Sequence, residues 1–208
     1  LSTLQGGAGA EPLLGGASND RLEDDSIANA ASDRLEAGAG EDTLVSRGGP
    51  DALLGGDGLD LLIMEGGAAA GFGLFVAVLD GSVSTSDGTL ITGIERYQVP
   101  GGAFNDTLRG HDLADTLVGA GGNDDVAGRG GADLLRGDNG DDMLDGGAGA
   151  DTLQGGIGAD QLSDIAAAGS VVDGGGDTDT LLIDFSAAAD PLMFQPNADG
   201  SAFVAGGM

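Results

Sequence analysis

Between Gly101 and Ser163 an apolar side chain returns every nine residues: Leu108, Leu117, Val126, Leu135, Leu144, Leu153 and Leu162. Its neighbours are mostly polar, with Thr107, Thr116, Thr152 and Gln161 before it and Arg109, Arg136, Asp145 and Gln154 after it. Polar–apolar–polar is the alternation of a short strand whose central side chain points inward. Two residues ahead of each apolar position stands an aspartate: Asp106, Asp115, Asp124, Asp133, Asp142, Asp151 and Asp160. Each nine opens on glycine, which allows a tight turn at positive φ. The pattern predicts a strand over positions 7 to 9, preceded by a turn that the aspartate at position 6 closes. Two nines then make one 18-residue coil with a strand on each side, and successive coils stack in parallel about 4.8 Å apart.

A second, more degenerate series runs from Gly6 to Ile63. Leu13, Leu22, Leu35, Leu44, Leu53 and Leu62 hold position 8, and Glu11, Asp20, Asp33, Asp42, Asp51 and Asp60 hold position 6. Glycine opens three of these six copies, and Asp24-Asp25-Ser26-Ile27 is inserted after the second. The insertion is expected to bulge as a loop or to break the stack. From Met64 to Pro100 the period is lost. Phe72, Leu74, Val76 and Val78 alternate as in a half-buried strand, Asp80-Gly81-Ser82 reads as a turn, and Thr89 to Val99 reads as a further strand. After Ser163 comes one extra residue, Asp164, and then two more nines with Ser170 and Asp179 at position 6. A metal site at Ser170 is expected to be weak or empty.

This divides the chain into a first block (1–63), a strand linker (64–100), a second block (101–182) and the start of a second linker (183–208). A longer recurrence overlies the nines. Shifted by 119 residues, Asp60 and Leu62 fall on Asp179 and Leu181, and Asp80-Gly81-Ser82 falls on Asp199-Gly200-Ser201. A block with its linker therefore reads as one unit of a tandem array.

The nines from GGAFNDTLR to GGIGADQLS resemble the calcium-binding nonapeptide of the RTX (repeats-in-toxin, hemolysin-type) family. The stretch from Gly93 to Gly110 resembles the linkers that lead back into a repeat block there. The resemblance implies an all-β chain, a parallel β-roll of two stacked-coil blocks with a small β-strand linker between them. It also implies Ca²⁺ as the bound ion, export by the type I route of a Gram-negative cell, and an extracellular or cell-surface location.

Charge and composition agree with a cation binder. Acidic residues outnumber basic ones 35 to 7, for a net charge of −28. Such a chain repels nucleic acid and anionic membranes, and no apolar run approaches the roughly 18 residues of a membrane span. On an 18-residue coil the aspartates sort onto two edges: Asp106, Asp124, Asp142 and Asp160 on one, Asp115, Asp133 and Asp151 on the other. Carboxylates stacked about 5 Å apart repel one another, and a divalent cation between them turns repulsion into ligation. Ca²⁺ accepts many carboxylate and carbonyl oxygens, whereas Mg²⁺ demands a tight octahedron and Zn²⁺ prefers His or Cys. The candidate ligands are Asp20, Asp33, Asp42, Asp51, Asp60, Asp106, Asp115, Asp124, Asp133, Asp142, Asp151, Asp160 and Asp179. With a thin apolar column as its core, the chain is expected to fold only as it binds metal.

Catalytic chemistry finds little material. There is no Cys, one His (His111) and no Lys, so neither a nucleophile–histidine site nor a phosphate loop is expected. The reading is a non-enzymatic calcium-folded region of a secreted or surface protein, structural in an adhesin, surface layer or extracellular array. The alternative is an accessory calcium-binding and secretion module of an enzyme or toxin whose catalytic domain lies elsewhere. Beyond calcium ions, the partners considered are further copies of the chain or another extracellular protein or polysaccharide.

Overall fold

A computed structural model describes residues 2–7, 9–24, 32–47, 49–65, 75–79, 82–84, 89–165 and 169–184. Among them are twenty strands and no helix. The first seven are β1 (Thr3–Gln5), β2 (Pro12–Gly16), β3 (Arg21–Glu23), β4 (Arg34–Ala39), β5 (Thr43–Ser46), β6 (Ala52–Asp57) and β7 (Leu61–Met64). Four follow in the middle segment: β8 (Phe75–Leu79), β9 (Ser82–Ser84), β10 (Leu90–Thr92) and β11 (Arg96–Pro100). The rest are β12 (Thr107–Arg109), β13 (Thr116–Gly121), β14 (Asp125–Gly130), β15 (Leu134–Asn139), β16 (Met143–Ala148), β17 (Thr152–Ile157), β18 (Gln161–Ile165), β19 (Val171–Gly176) and β20 (Thr180–Asp184).

Apart from β8, β9 and β10, which all lie in one sheet, the strands alternate between two sheets, as two nines per coil require. One sheet has the order β1-β3-β5-β7-β11-β13-β15-β17-β19, the other β2-β4-β6-β10-β9-β8-β12-β14-β16-β18-β20. Pairing is parallel except where β9 lies antiparallel to β8 and β10. Position 8 faces inward throughout: Leu22, Leu35, Leu44, Leu53, Leu62, Leu108, Leu117, Val126, Leu135, Leu144 and Leu153 are fully buried. They stack in register 18 residues apart, as in Leu108–Val126–Leu144–Leu162. This is a β-roll, a parallel solenoid with an apolar column for a core.

Most strands run further than positions 7 to 9. In β13, β15 and β17 pairing continues through Ala120, Asp138 and Gly156 to Gly121, Asn139 and Ile157. The glycine-rich start of the following nine is thus itself strand there, because its backbone stacks on the same backbone one coil away.

The insertion after Glu23 does not interrupt pairing. Leu13 pairs with Leu35 and Leu22 with Leu44, 22 residues apart instead of 18. Residues 25–31, which hold the rest of the insertion, lie outside the described residues. In the middle segment the stretch from Thr89 to Val99 forms two strands rather than one. β10 joins one sheet and β11 the other, and between them Gly93 turns the corner at φ 61°. Here the register slips by two residues, since Tyr97 pairs with Leu62 while Val99 pairs with Leu117. A slip of two keeps every side chain on its own face, and both Tyr97 and Val99 are buried. Val76 and Val78 lie in β8, whereas Phe72, Leu74 and the turn residues Asp80 and Gly81 fall outside the described residues, as do 185–208.

Candidate metal centre

Each position-6 aspartate sits where a turn enters a strand, and all those from Asp20 to Asp160 are buried. One carboxylate oxygen has a fixed job. Within the rows, Oδ1 of an aspartate accepts the backbone N–H of the position-6 residue one coil earlier, and Asp115 Oδ1 accepts Tyr97 N–H of β11 in the same way. Asp124 accepts from Asp106 at 2.7 Å, Asp142 from Asp124 at 2.8 Å, Asp160 from Asp142 at 2.8 Å and Asp179 from Asp160 at 3.1 Å. On the other edge Asp133 accepts from Asp115 at 2.8 Å and Asp151 from Asp133 at 2.9 Å. The structure therefore brings the second-block aspartates into the two rows that the 18-residue coil predicts. The first block repeats the arrangement. Asp20, Asp42 and Asp60 follow one another in one row, and Asp33 and Asp51 in the other. The rows end on other groups. Asp60 N–H meets Glu95 at 2.9 Å, Asp51 N–H meets the Thr89 hydroxyl at 3.1 Å and Asp151 N–H meets the Ser170 hydroxyl at 3.3 Å.

The second oxygen separates the turns into two kinds. Oδ2 of Asp42, Asp60, Asp124, Asp133, Asp142, Asp151 and Asp160 is buried without a hydrogen-bond partner, as is that of Asp20. In the first seven of these turns the residues at positions 2 and 4 both have positive φ. The pairs are Gly38/Gly40, Gly56/Gly58, Ala120/Gly122, Arg129/Gly131, Asp138/Gly140, Gly147/Gly149 and Gly156/Gly158. The turns ending at Asp106 and Asp115 carry Phe104 and Leu113 at position 4 and no positive φ at position 2 or 4. There Oδ2 is satisfied internally, by Gly102 N–H at 2.7 Å and His111 N–H at 2.7 Å. Elsewhere Asp51 Oδ2 accepts from the Ser46 hydroxyl at 3.2 Å, and both oxygens of Glu11 accept from backbone, at Gly7 and Gly9.

The two recurrent glycines do different work. Position 1 is cramped: a Cβ on Gly119, Gly128 or Gly137 would run into Oδ2 of Asp124, Asp133 or Asp142. Position 4 is where the backbone is left-handed, which L side chains resist. A Cβ on Gly140 or Gly158 would also meet the carbonyl of the preceding coil.

Electrostatics follow from burial. Loss of water pushes the carboxyls of Asp60, Asp115, Asp124 and Asp160 up to about 6. For Asp60, Asp124 and Asp160 the neighbouring carboxylates add to this, against the pull of the accepted N–H. Asp133 reaches about 7, by burial and then by Asp115 and Asp151 on either side. The rows thus gather acids made costly to ionise by loss of water first and, at Asp60, Asp124, Asp133 and Asp160, by neighbouring carboxylates second.

An unpartnered buried oxygen recurring in seven turns is what a hard cation requires; the turn ending at Asp179 shares the left-handed backbone, at Gly175 and Asp177. Ca²⁺ takes carboxylate and carbonyl oxygens together, and glycine turns expose carbonyls. Among the described residues no three His, Cys, Asp or Glu side chains gather as a metal cluster. The carboxylates lie in rows, so backbone oxygens must complete any shell.

Two buried aspartates escaped the nine-residue pattern. Asp24 and Asp164 are buried and occupy the place where a glycine would open a nine. Asp24 Oδ2 accepts from Arg47 N–H at 3.2 Å, while neither oxygen of Asp164 has a hydrogen-bond partner. The signal in the sequence is acid in place of the opening glycine.

A family model described as the RTX calcium-binding nonapeptide repeat matches in four copies, at residues 3–26, 27–62, 100–135 and 128–162, together more than half of the chain. No curated protein matches. Eleven solved chains do. One is the extracellular lipase LipA from Serratia marcescens, at 22% identity and a TM-score of 0.28, with 87% of this chain and 32% of that chain covered. The chain thus spans about a third of that protein's length.

Proposed function

The chain belongs to the RTX calcium-binding nonapeptide repeat family, and on that premise we propose that calcium is what lets this stretch of a secreted or surface protein fold and stiffen. Repeats of the family bind Ca²⁺. The ions belong first to the turns ending at Asp42, Asp60, Asp124, Asp133, Asp142, Asp151 and Asp160. The observation that carries this assignment is the unpartnered buried Oδ2, which coincides in these seven with left-handed backbone at positions 2 and 4. Asp20 offers the same oxygen from a turn without glycine at position 4. Asp33, Asp51, Asp106, Asp115 and Asp179 take part through the rows they extend, Asp115 with both oxygens already bonded to backbone and Asp106 with Oδ2 so bonded.

The bound ion supplies positive charge between coils. The chain's residues supply the rest: Oδ1 fixes each carboxylate to the neighbouring coil, and the opening glycine leaves room for Oδ2. Without the ion, buried carboxylates repel along each row and the apolar column offers little to offset the entropy of ordering so many glycines. Folding and binding are then one event. Extracellular calcium modules work at about 10⁻⁴–10⁻³ M, so the chain is unfolded in the exporting cell and folded outside it. Proteins with these repeats typically leave Gram-negative cells by type I secretion, and we assign this chain to that route.

The role is structural rather than catalytic. The 119-residue recurrence supports an extended array: the bounds of β6 and β19 differ by 119 at both ends. Further units of this length in flanking sequence would extend the array, while a zinc-helix or serine-elbow motif there would favour an accessory module of an enzyme. Circular dichroism tests the calcium reading directly. Coil in chelator should become strand in millimolar Ca²⁺, and equal structure in both would refute coupled folding.

A further inference from the structure

The row Asp115–Asp133–Asp151 ends on a residue with no carboxylate. Ser170 Oγ accepts Asp151 N–H at 3.3 Å and donates to Gly149 O at 3.4 Å, which fills Oδ1's place in the ladder but supplies no anion opposite Asp151. The chain reaches this turn through an irregularity. Leu153 pairs with Leu135 at a spacing of 18 and with Val172 at 19, and the register between β16 and β18 shifts between Asp145 and Ala148. At that irregularity the opening residue is Asp164, where the seven preceding nines have glycine.

Asp164 lies in β18 beside Ile183 and is only 4% exposed. Both its oxygens are buried and unpartnered, as is Oδ2 of Asp151. These groups converge. A Cβ added to Gly146 would stand 2.6 Å from Asp164 Oδ1 and 2.9 Å from Asp151 Oδ2. The two oxygens are therefore at most about 5.5 Å apart, the scale on which one Ca²⁺ at about 2.3–2.6 Å from each oxygen bridges two carboxylates. In an ordinary turn the closing aspartate aims Oδ2 at the opening glycine. Here the acid has moved to the other end of the turn and enters the same space from the opposite side.

We propose that Asp164 replaces the carboxylate missing at Ser170 and, with Asp151, holds a divalent cation, Ca²⁺ by its all-oxygen donors, at the end of this row. The proposal rests on the calcium reading of the repeats. It reverses the expectation that the Ser170 turn is weak or empty, and it makes the spare residue of the sequence a ligand.

Equilibrium dialysis of the full chain with radiolabelled calcium at saturation tests it. Asp164→Asn should bind one ion fewer than the parent and keep the others. Asp164→Gly restores the glycine of the other nines, so it gives the same count if the asparagine variant does not fold. A folded variant with the parent's full count at unchanged affinity overturns the Asp164 site and leaves the rest of the calcium reading standing. A parent chain that takes up no calcium overturns both, and it does so before any substitution is made.

Discussion

Asp133→Asn should move the metal-free and calcium-bound chains in opposite directions. Asp133 Oδ1 accepts from Asp115 N–H, its own N–H reaches Asp151 Oδ1, and its Oδ2 is buried without a partner. Its carboxyl lies at about 7 in the fold against an ordinary 3.8. A raised folded value means that the native state binds more protons than the unfolded one between those limits. Stability from this group is present below about pH 4 and is lost as pH rises through about 7. At pH 7.5 without metal the charged form costs up to about 4 kcal/mol at about 1.4 kcal/mol per pH unit. Asparagine removes that cost and keeps the oxygen that Asp115 N–H needs. It also places an amide donor where Oδ2 was, an unpaired group costing about 1–3 kcal/mol. The net gain for the metal-free chain is about 1–3 kcal/mol. With calcium the sign reverses, because an anionic ligand oxygen is gone, and the calcium midpoint should rise about tenfold, or about 1.4 kcal/mol. The first effect is read in chelator by driving folding with trimethylamine oxide and following strand by circular dichroism. The second is read by calcium titration. A variant harder to fold in chelator, or one with an unchanged calcium midpoint, would refute the account of Oδ2 as a buried anion awaiting a cation.

The same sign holds for other aspartates on both edges of the roll. Because Asp60, Asp115, Asp124 and Asp160 all lie near 6 in the fold, the chelated chain should gain strand as pH falls from 7.5 to about 5, opposite to ordinary acid denaturation; a circular dichroism titration that loses structure over this range contradicts it. In calcium, acidification over the same window should instead raise the midpoint, as protons compete for the same oxygens. Leu113→Gly should let its turn become left-handed, release Asp115 Oδ2 from His111 N–H and add one bound ion by equilibrium dialysis; an unchanged count would break the link between position 4 and occupancy.

What could be read from the sequence was whatever repeats as side-chain identity. The leucine column, the aspartate rows and their sorting onto two edges all follow from a fixed period and an 18-residue coil. The middle segment was harder, because the apolar residues from Leu90 to Val99 fit one long strand as well as two short ones. Only the corner at Gly93 decides, by sending β10 and β11 to different sheets. The state of each aspartate was hidden for a related reason, since it depends on backbone sign rather than on the aspartate. Ala120, Arg129 and Asp138 stand at φ 72–80°, and nothing in those side chains announces a left-handed residue. The visible proxy is the glycine two places later, present in the turns of Asp124, Asp133 and Asp142 and replaced by Phe104 and Leu113 in those of Asp106 and Asp115. In those three turns no N–H reaches Oδ2, and the fold keeps a buried carboxylate with one oxygen open, whereas in the Asp51 turn Gly49 is also left-handed but the Ser46 hydroxyl fills that oxygen. An aspartate every nine residues therefore specifies a row of hydrogen bonds, and left-handed backbone at positions 2 and 4 together marks the seven turns from Asp42 to Asp160 whose second oxygen is left to a cation.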